Sequence, residues 1–341
     1  MLLDGLADVS VRDCALALQA GELVAFPTET VYGLGADAGN DAAVAKIFAA
    51  KGRPSNHPLI VHVDDTQQGL PGLHFFATDV PDYARLLAQC FWPGPLTLIL
   101  PRRAAVGSAA AGGQRSIGLR CPAHPVAQAL LHACRDLGVM GLAAPSANQF
   151  GRVSPTMAAH VADEFGATLR VLDGGACNIG IESTIIDCTR GAPVLLRPGA
   201  ITAAQVQHAS GRKVLTPDQA AQLAAPAPRA SGTLAAHYAP KARVRLMDAK
   251  ALQTALDLLG SDITHSVPVI ATYARTVLRS RSAAVLCRRM PDDAAATAQQ
   301  LFAVLREFDA QAVKLIWVET PPVGPQWDGV RDRLQRAAAA Q

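Results

Sequence analysis

Short apolar runs alternate along this chain with stretches in which apolar side chains return every three or four positions, the two rhythms of strand and helix. Residues 11–20 set Val11, Ala15, Leu16 and Leu18 among polar neighbours, a short helix with Gly21 as its stop. Residues 23–26 read as a buried strand. Pro27 has no N–H to give to a ladder, so the strand ends there and passes into a Thr-Glu-Thr loop. Asn40 or Asp41 is a good N-cap for a helix that carries Val44, Ile47 and Phe48 as far as Lys51, with Gly52 at C′. Pro54 keeps the chain extended, and residues 58–63 form the next strand, Ile60 and His62 on one face and Leu59, Val61 and Val63 on the other.

The same reading continues with a helix over 83–90, a rigid turn at Phe91-Trp92-Pro93-Gly94-Pro95 and a strand over 96–100. Residues 102–114, rich in alanine and glycine, read as a mobile loop. Strands are expected at 117–120, 142–144, 169–172, 184–187 and 194–197, with helices near 125–136 and 156–165. This interleaving of strand and helix makes the class α/β. Between about 205 and 241 the pattern weakens into a proline- and alanine-rich linker. Beyond it, strands at 244–247, 267–271, 284–287 and 313–318 and helices near 250–259, 294–308 and 328–340 describe a second, smaller α/β domain. The expected organisation is a first domain over 1–205, a linker over 206–241 and a C-terminal domain over 242–341.

Composition narrows the class. At 341 residues the chain is long enough for two cores, half of its residues are hydrophobic, and its net charge of +3 is too small to demand a nucleic-acid partner. Six lysines stand against twenty-five arginines, a bias that makes position rather than number the guide to function. The seven cysteines are scattered and never spaced C-x-x-C, which argues against a disulfide framework or structural zinc and for a reducing, cytoplasmic setting. No signal peptide and no run of about eighteen apolar residues is expected to take the chain into or across a membrane.

The chemistry-bearing residues cluster at predicted strand ends. Lys51 and Arg53 flank a glycine at a helix terminus, a spacing that can aim two cations at one polyanion, although a lysine there also suits the helix dipole. Thr28, Thr30 and Tyr32 offer hydroxyls in the loop after a strand, and His62 ends another; each has an ordinary structural explanation when taken singly. Pro145-Ser146-Ala147-Asn148, Gly180-Ile181-Glu182-Ser183-Thr184 and Leu196-Arg197-Pro198-Gly199 repeat the theme at further strand ends. Several polar loops at strand ends are what a ligand crevice on an α/β sheet requires. Walker, G-x-G-x-x-G, H-E-x-x-H and G-x-S-x-G signatures are absent, so a nucleotide site must be built in another way.

Taken together, these segments resemble the YrdC-type L-threonylcarbamoyladenylate synthase family. PTETVYGLG at 27–35, KGRP at 51–54, HPLIVHV at 57–63, FWPGPLTLIL at 91–100, IGLRCP at 117–122, PSAN at 145–148, SPT at 154–156, GIEST at 180–184 and LRPG at 196–199 occur in family order. His237-Tyr238-Ala239-Pro240 with an appended domain is similar to the long form of that family. The resemblance implies an open twisted α/β sheet with a positive cavity, followed by a linker and a smaller α/β domain. It also implies condensation of L-threonine, bicarbonate and ATP, with Mg2+ accompanying the ATP, to threonylcarbamoyl-AMP and pyrophosphate. That product feeds the machinery that transfers threonylcarbamoyl to adenosine 37 of certain tRNAs.

By the same resemblance Thr30, His62, Arg120, Ser146 and Ser183 are expected to line a threonine pocket. Lys51, Arg53, His57, Ser116, Asn148, Thr156 and Arg197 are expected to face ATP, with Tyr238 approaching from the linker and Lys51 and Arg53 carrying the catalytic charge stabilisation. No residue is assigned to a metal, and 102–114 receives no role beyond Arg115 and Ser116 near its end. Two other readings stay open: a basic cavity that binds RNA or tRNA without making the adenylate, and carbamoyl transfer of the kind catalysed by hydrogenase-maturation enzymes.

Overall fold

The structure, a computed structural model, describes residues 1–65, 69–223, 226–259, 269–277, 280, 282 and 284–340. The chain divides into two compact units, Met1–Phe150 with Ser154–Thr233, and Gly151–Val153 with Leu234–Gln341.

The first unit is built on ten strands: β1 Leu2–Asp4, β2 Val24–Phe26, β3 Gly33–Asp37, β4 Ile60–His62, β5 Leu96–Pro101, β6 Ser116–Arg120, β7 Leu142–Ala143, β8 Arg170–Asp173, β9 Thr184–Asp187 and β10 Val194–Arg197. They form one mixed sheet in the order β1-β8-β2-β3-β7-β4-β6-β5-β9-β10. Its helices are α1 Asp8–Gln19, α2 Asp41–Lys51, α3 Pro71–Phe76, α4 Asp82–Phe91, α5 Pro125–Asp136, α6 Ala158–Phe165 and α7 Ala203–Ser210. Period-two alternation sorts the core into two layers. Val24, Phe26, Leu142 and Leu172 pack with α1 and α5 residues such as Leu18 and Leu130, while Ala25, Ala143 and Val171 belong to the opposite layer with Val44, Ile47 and Leu87.

Two segments differ from the sequence pattern. Gly33–Asp37, to which it assigns no element, is a central strand paired antiparallel with β2 and β7. Its glycines conceal it: a Cβ at Gly35 would stand 2.8 Å from Phe26 Cε1, so only glycine lets the strand lie against that ring. The 102–114 segment is not a loose loop either. Ala110 and Ala111 are buried, Leu59 N–H donates to Ala110 O, and Arg102 Nε donates to Gln114 O at 3.0 Å.

The α2 helix follows its sequence signals. The Asn40 side chain accepts from the N–H groups of Ala42 and Ala43, and Gly52 ends the helix in the left-handed region at φ 60°. The unit also continues past residue 205, the expected end of the first domain, as far as Thr233. Helix α7 starts with a capping box between Thr202 and Gln205, and Arg190, ion-paired to buried Asp187 at 2.7 Å, donates to Ala220 O.

The second unit holds β11 Arg243–Met247, β12 Ile270–Ala274, β13 Val285–Arg289 and β14 Leu315–Glu319 in an all-parallel sheet ordered β11-β14-β12-β13. Its helices are α8 Ala249–Leu258, α9 Ala294–Ala310 and α10 Asp328–Ala339. Residues 267–268 of the strand expected at 267–271, and Ala224 and Ala225 of the expected linker, lie outside the described residues. Buried Glu319 closes the carboxyl end of β14, accepting from the N–H groups of Arg275, Thr276 and Val277. The His237-Tyr238-Ala239-Pro240 segment belongs to this unit. Tyr238 is buried there, stacked on Phe302 at 5.5 Å with the Arg333 guanidinium over its ring.

Candidate ligand crevice at the strand ends

The loop after β2 is tied by its own hydroxyls. Thr28 Oγ1 donates to Val31 O at 2.6 Å and accepts from the N–H groups of Thr30 and Val31. The Thr28 and Thr30 hydroxyls also meet at 2.8 Å. Tyr32, whose hydroxyl was a candidate for gripping substrate, is buried and donates to Gly175 O at 2.7 Å.

At the end of β6, Arg120 is buried and held on three sides. Its Nε donates to Gly94 O at 3.2 Å, its Nη1 donates to Thr30 Oγ1 at 2.9 Å, and its Nη2 lies 2.7 Å from Glu29 Oε1. Glu29 in turn accepts from Ala123 N–H at 3.1 Å through its other oxygen. Nη2 and Glu29 Oε1 are both buried, and at 2.7 Å they form a close ion pair inside the protein.

His62 pairs in register with Arg120 across β4 and β6. Burial, and then the Arg120 charge, push its pKa down to about 3, so the imidazole is neutral near pH 7. Its Nδ1 is buried with no partner among the described residues.

The cations are arranged along the neighbouring loops. Lys51 ends α2 buried, and its Nζ donates to Ser146 O at 2.6 Å and to Asn148 O. It therefore crosses to the 145–148 loop instead of capping its own helix. Burial first, and the Arg53 charge second, hold its pKa well below the ordinary lysine value. Arg53 donates to Pro58 O at 2.9 Å and lies over the Phe150 ring, against which His57 also packs edge-on at 5.5 Å. Burial and the Arg53 charge lower the His57 pKa as well.

At the other side, Arg197 at the end of β10 wraps Ser183, donating twice to its carbonyl and once to its hydroxyl at 3.1 Å. The Ser183 hydroxyl also meets Thr97 Oγ1 at 2.7 Å. Arg197 Nη1 donates to Ser231 O at 3.0 Å, and Arg53 Nη2 reaches Ser231 Oγ at 3.4 Å. One linker serine thus joins the two arginines.

Thr30, Arg120 and His62 form one group, Lys51, Ser146 and Asn148 a second, and Arg53, Ser231, Arg197 and Ser183 a third. Ser116 begins β6, the strand that Arg120 ends. Buried Thr156 accepts Cys177 N–H at its carbonyl, while Tyr238 lies in the second unit. Sequence reasoning passed over Glu29, Thr97 and Ser231. Of these, Glu29 alone carried a signal, as an acidic residue between two threonines ahead of an arginine-bearing strand.

A mixed α/β sheet with buried cations and hydroxyls gathered at its strand ends is the scaffold of an enzyme that holds a small anionic ligand. Residues 16–199 match the family described as telomere recombination, the Sua5–YciO–YrdC family, and residues 201–339 match the model described as threonylcarbamoyl-AMP synthase, C-terminal domain. The chain belongs to the Sua5–YciO–YrdC family, in its long, two-domain form.

Among its relatives, the threonylcarbamoyl-AMP synthase of Bacillus subtilis is 37% identical over 338 residues, spanning 98% of this chain and 94% of the relative. The enzyme of that name from Pyrococcus abyssi is 43% identical over 239 residues, 70% of this chain and 68% of the relative. The crystal structure of P. abyssi Sua5 complexed with L-threonine superposes with a TM-score of 0.86 at 33% identity, covering 100% of this chain and 98% of that one.

Proposed function

We propose that this protein is an L-threonylcarbamoyladenylate synthase, a nucleotidyltransferase that joins L-threonine, bicarbonate and ATP. The observation that carries the reading is the buried Arg120, held by Thr30 and Glu29, in a domain whose neighbouring loops hold Lys51, Arg53 and Arg197. The Arg120 fork takes the threonine carboxylate, while Thr30, neutral His62, Ser146 and Ser183 read its hydroxyl and amine. Lys51, Arg53 and Arg197 take the triphosphate, with His57, Ser116, Asn148 and Thr156 as further nucleotide contacts.

The amine loses a proton and attacks the carbon of bicarbonate, which leaves water behind and yields a carbamate. A carbamate oxygen then bonds to the α-phosphorus as the bond to the bridging oxygen breaks and pyrophosphate departs. Negative charge grows on the leaving group, and Lys51 and Arg53 stabilise it; positioning and electrostatics do most of what is asked of the protein. Mg2+ is expected to arrive on the ATP phosphates and to keep several of its own waters.

The product supplies a tRNA threonylcarbamoyl-transfer step. Seven unpaired cysteines favour a cytoplasmic setting, and no helix among the described residues is long and apolar enough to cross a membrane. Pyrophosphate release from ATP is expected to require both L-threonine and bicarbonate. Release that ignored either one, or salt-sensitive RNA binding with no ATP consumption, would overturn the proposal in favour of a binding module.

A further inference from the structure

Helix α2 ends against the loop that follows β7, and the junction is made from both sides. The carbonyls of Ala50 and Lys51, in the last turn where the helix has no N–H left for them, accept from Gln149 Nε2 at 3.2 Å and from Phe150 N–H at 3.0 Å. In return the Lys51 side chain folds onto the loop, its Nζ donating to the carbonyls of Ser146 and Asn148. Carbonyl oxygens satisfy the hydrogens of an ammonium without carrying a full opposite charge. Lys51 is 2% exposed, and the Arg53 guanidinium nearby repels it, so this cation needs a counter-charge.

The counter-charge comes from α6. Glu164 stands half-buried in the last turn of that helix, and its Oε2 accepts from Gln149 N–H at 3.1 Å. Local rules place a carboxylate poorly there, because the helix dipole gives that end partial negative charge and favours a basic residue, of which the turn has none. The reason for Glu164 is therefore tertiary. Its charge favours the charged form of Lys51, against burial and against Arg53. Of the other ionisable groups on α6, Asp163 is exposed, and His160 accepts Thr156 N–H at Nδ1, which thus carries no proton.

We propose that Glu164 is a positioning residue for the phosphate site: one carboxylate anchors the loop whose carbonyls hold the Lys51 ammonium and supplies the negative charge that favours its cationic form before a triphosphate arrives. The inference rests on the synthase reading for the triphosphate alone. The coupling of Glu164 to Lys51 belongs to the nucleotide-free protein.

Six lysines are few enough for their Cε signals to be followed one by one. Carbon-13 NMR of the lysine-labelled full chain, titrated with pH in the absence of nucleotide, is expected to show one midpoint below the rest, identified by its loss in Lys51→Met. Glu164→Gln keeps an oxygen for Gln149 N–H and removes the charge. It is expected to keep the melting temperature and to lower the Lys51 midpoint by about one pH unit, the scale of one nearby opposite charge. Titration calorimetry with ATP on the same proteins is expected to show affinity beginning to fall at a pH lower by the same interval. In a Lys51→Met background, Glu164→Gln is expected to leave the pH dependence of ATP binding unchanged.

A Lys51 midpoint that Glu164→Gln leaves in place overturns the assignment, as does a shift in the pH dependence of ATP binding that persists in the Lys51→Met background. A lowered midpoint in a protein that binds no ATP upholds the pairing and removes the synthase reading instead.

Discussion

Arg120 and Thr30 are fastened to one another: the guanidinium donates to the threonine oxygen at 2.9 Å, and the same oxygen meets Thr28 Oγ1 at 2.8 Å. In this arrangement Thr30 can still hydrogen-bond a substrate hydroxyl or amine. It also holds Arg120 in place at the end of β6. Thr30→Ala removes both effects. The expected result is a rise of about tenfold in KM for L-threonine, the size of one lost hydrogen bond to a charged group, with KM for ATP unchanged. Steady-state pyrophosphate release at varied threonine and varied ATP reads the two separately.

Glu29 lies on the opposite side of the same guanidinium, and both side chains are buried. Removing its charge leaves Arg120 without its counter-ion inside the protein, a change that costs about 3–5 kcal/mol where a buried pair is broken from one side. A bound threonine carboxylate replaces the missing charge. Glu29→Gln is therefore expected to lower the melting temperature of the free protein, and saturating L-threonine is expected to raise it by more in the variant than in the wild type. Equal threonine-induced shifts in the two proteins would show that Glu29 is not the charge that substrate complements.

Much of this architecture is legible in the sequence because local signals and tertiary structure agree. Asn40 and Gly52 delimit α2 as capping chemistry says they should, and β5, β6, β9 and β10 follow their apolar runs. β3 is hidden, since Gly33 and Gly35 erase the strand pattern for the sake of close packing against Ala144 and Phe26. The candidate site is legible as residue types and not as connections. Nothing in the order of residues reveals that Lys51 crosses to the carbonyls of Ser146 and Asn148, ninety-five and ninety-seven positions away, or that Ser231 joins Arg53 to Arg197.

Lys51 makes a prediction about protons. Burial and the Arg53 charge keep its pKa far below the ordinary value in the nucleotide-free protein, whereas a bound triphosphate favours the charged ammonium and raises it again. At a pH between those two values, ATP binding draws a proton from solvent. Calorimetry in buffers of different ionisation enthalpy is expected to detect this uptake in the wild type and to lose it in Lys51→Met. The same substitution is expected to slow pyrophosphate release by roughly 10²- to 10³-fold, as loss of one preorganised charge-stabilising donor does. Wild-type turnover by the variant would remove Lys51 from the catalytic step.

His62 sets an acid limit on the fold. Its pKa is about 3 in the native protein, against about 6.5 for an exposed histidine, because burial and the Arg120 charge both oppose the proton. Between those two values the unfolded chain binds a proton that the native protein refuses, so this residue makes stability rise with pH across that window and fall as the solution is acidified. From pH 6.5 down to 4.5 its share of the loss is roughly 2–3 kcal/mol, about 1.4 kcal/mol for each unit of separation. His62→Gln has no proton to refuse, so its unfolding free energy is expected to decline less steeply, the gap between the two proteins changing by that amount over the interval. Urea unfolding at several pH values measures the gap directly, and parallel curves would mean that the buried imidazole is not the group responsible. Because the neutral ring also leaves Nδ1 without a partner among the described residues, L-threonine that engages it is expected to protect the wild type against acid more than it protects His62→Gln.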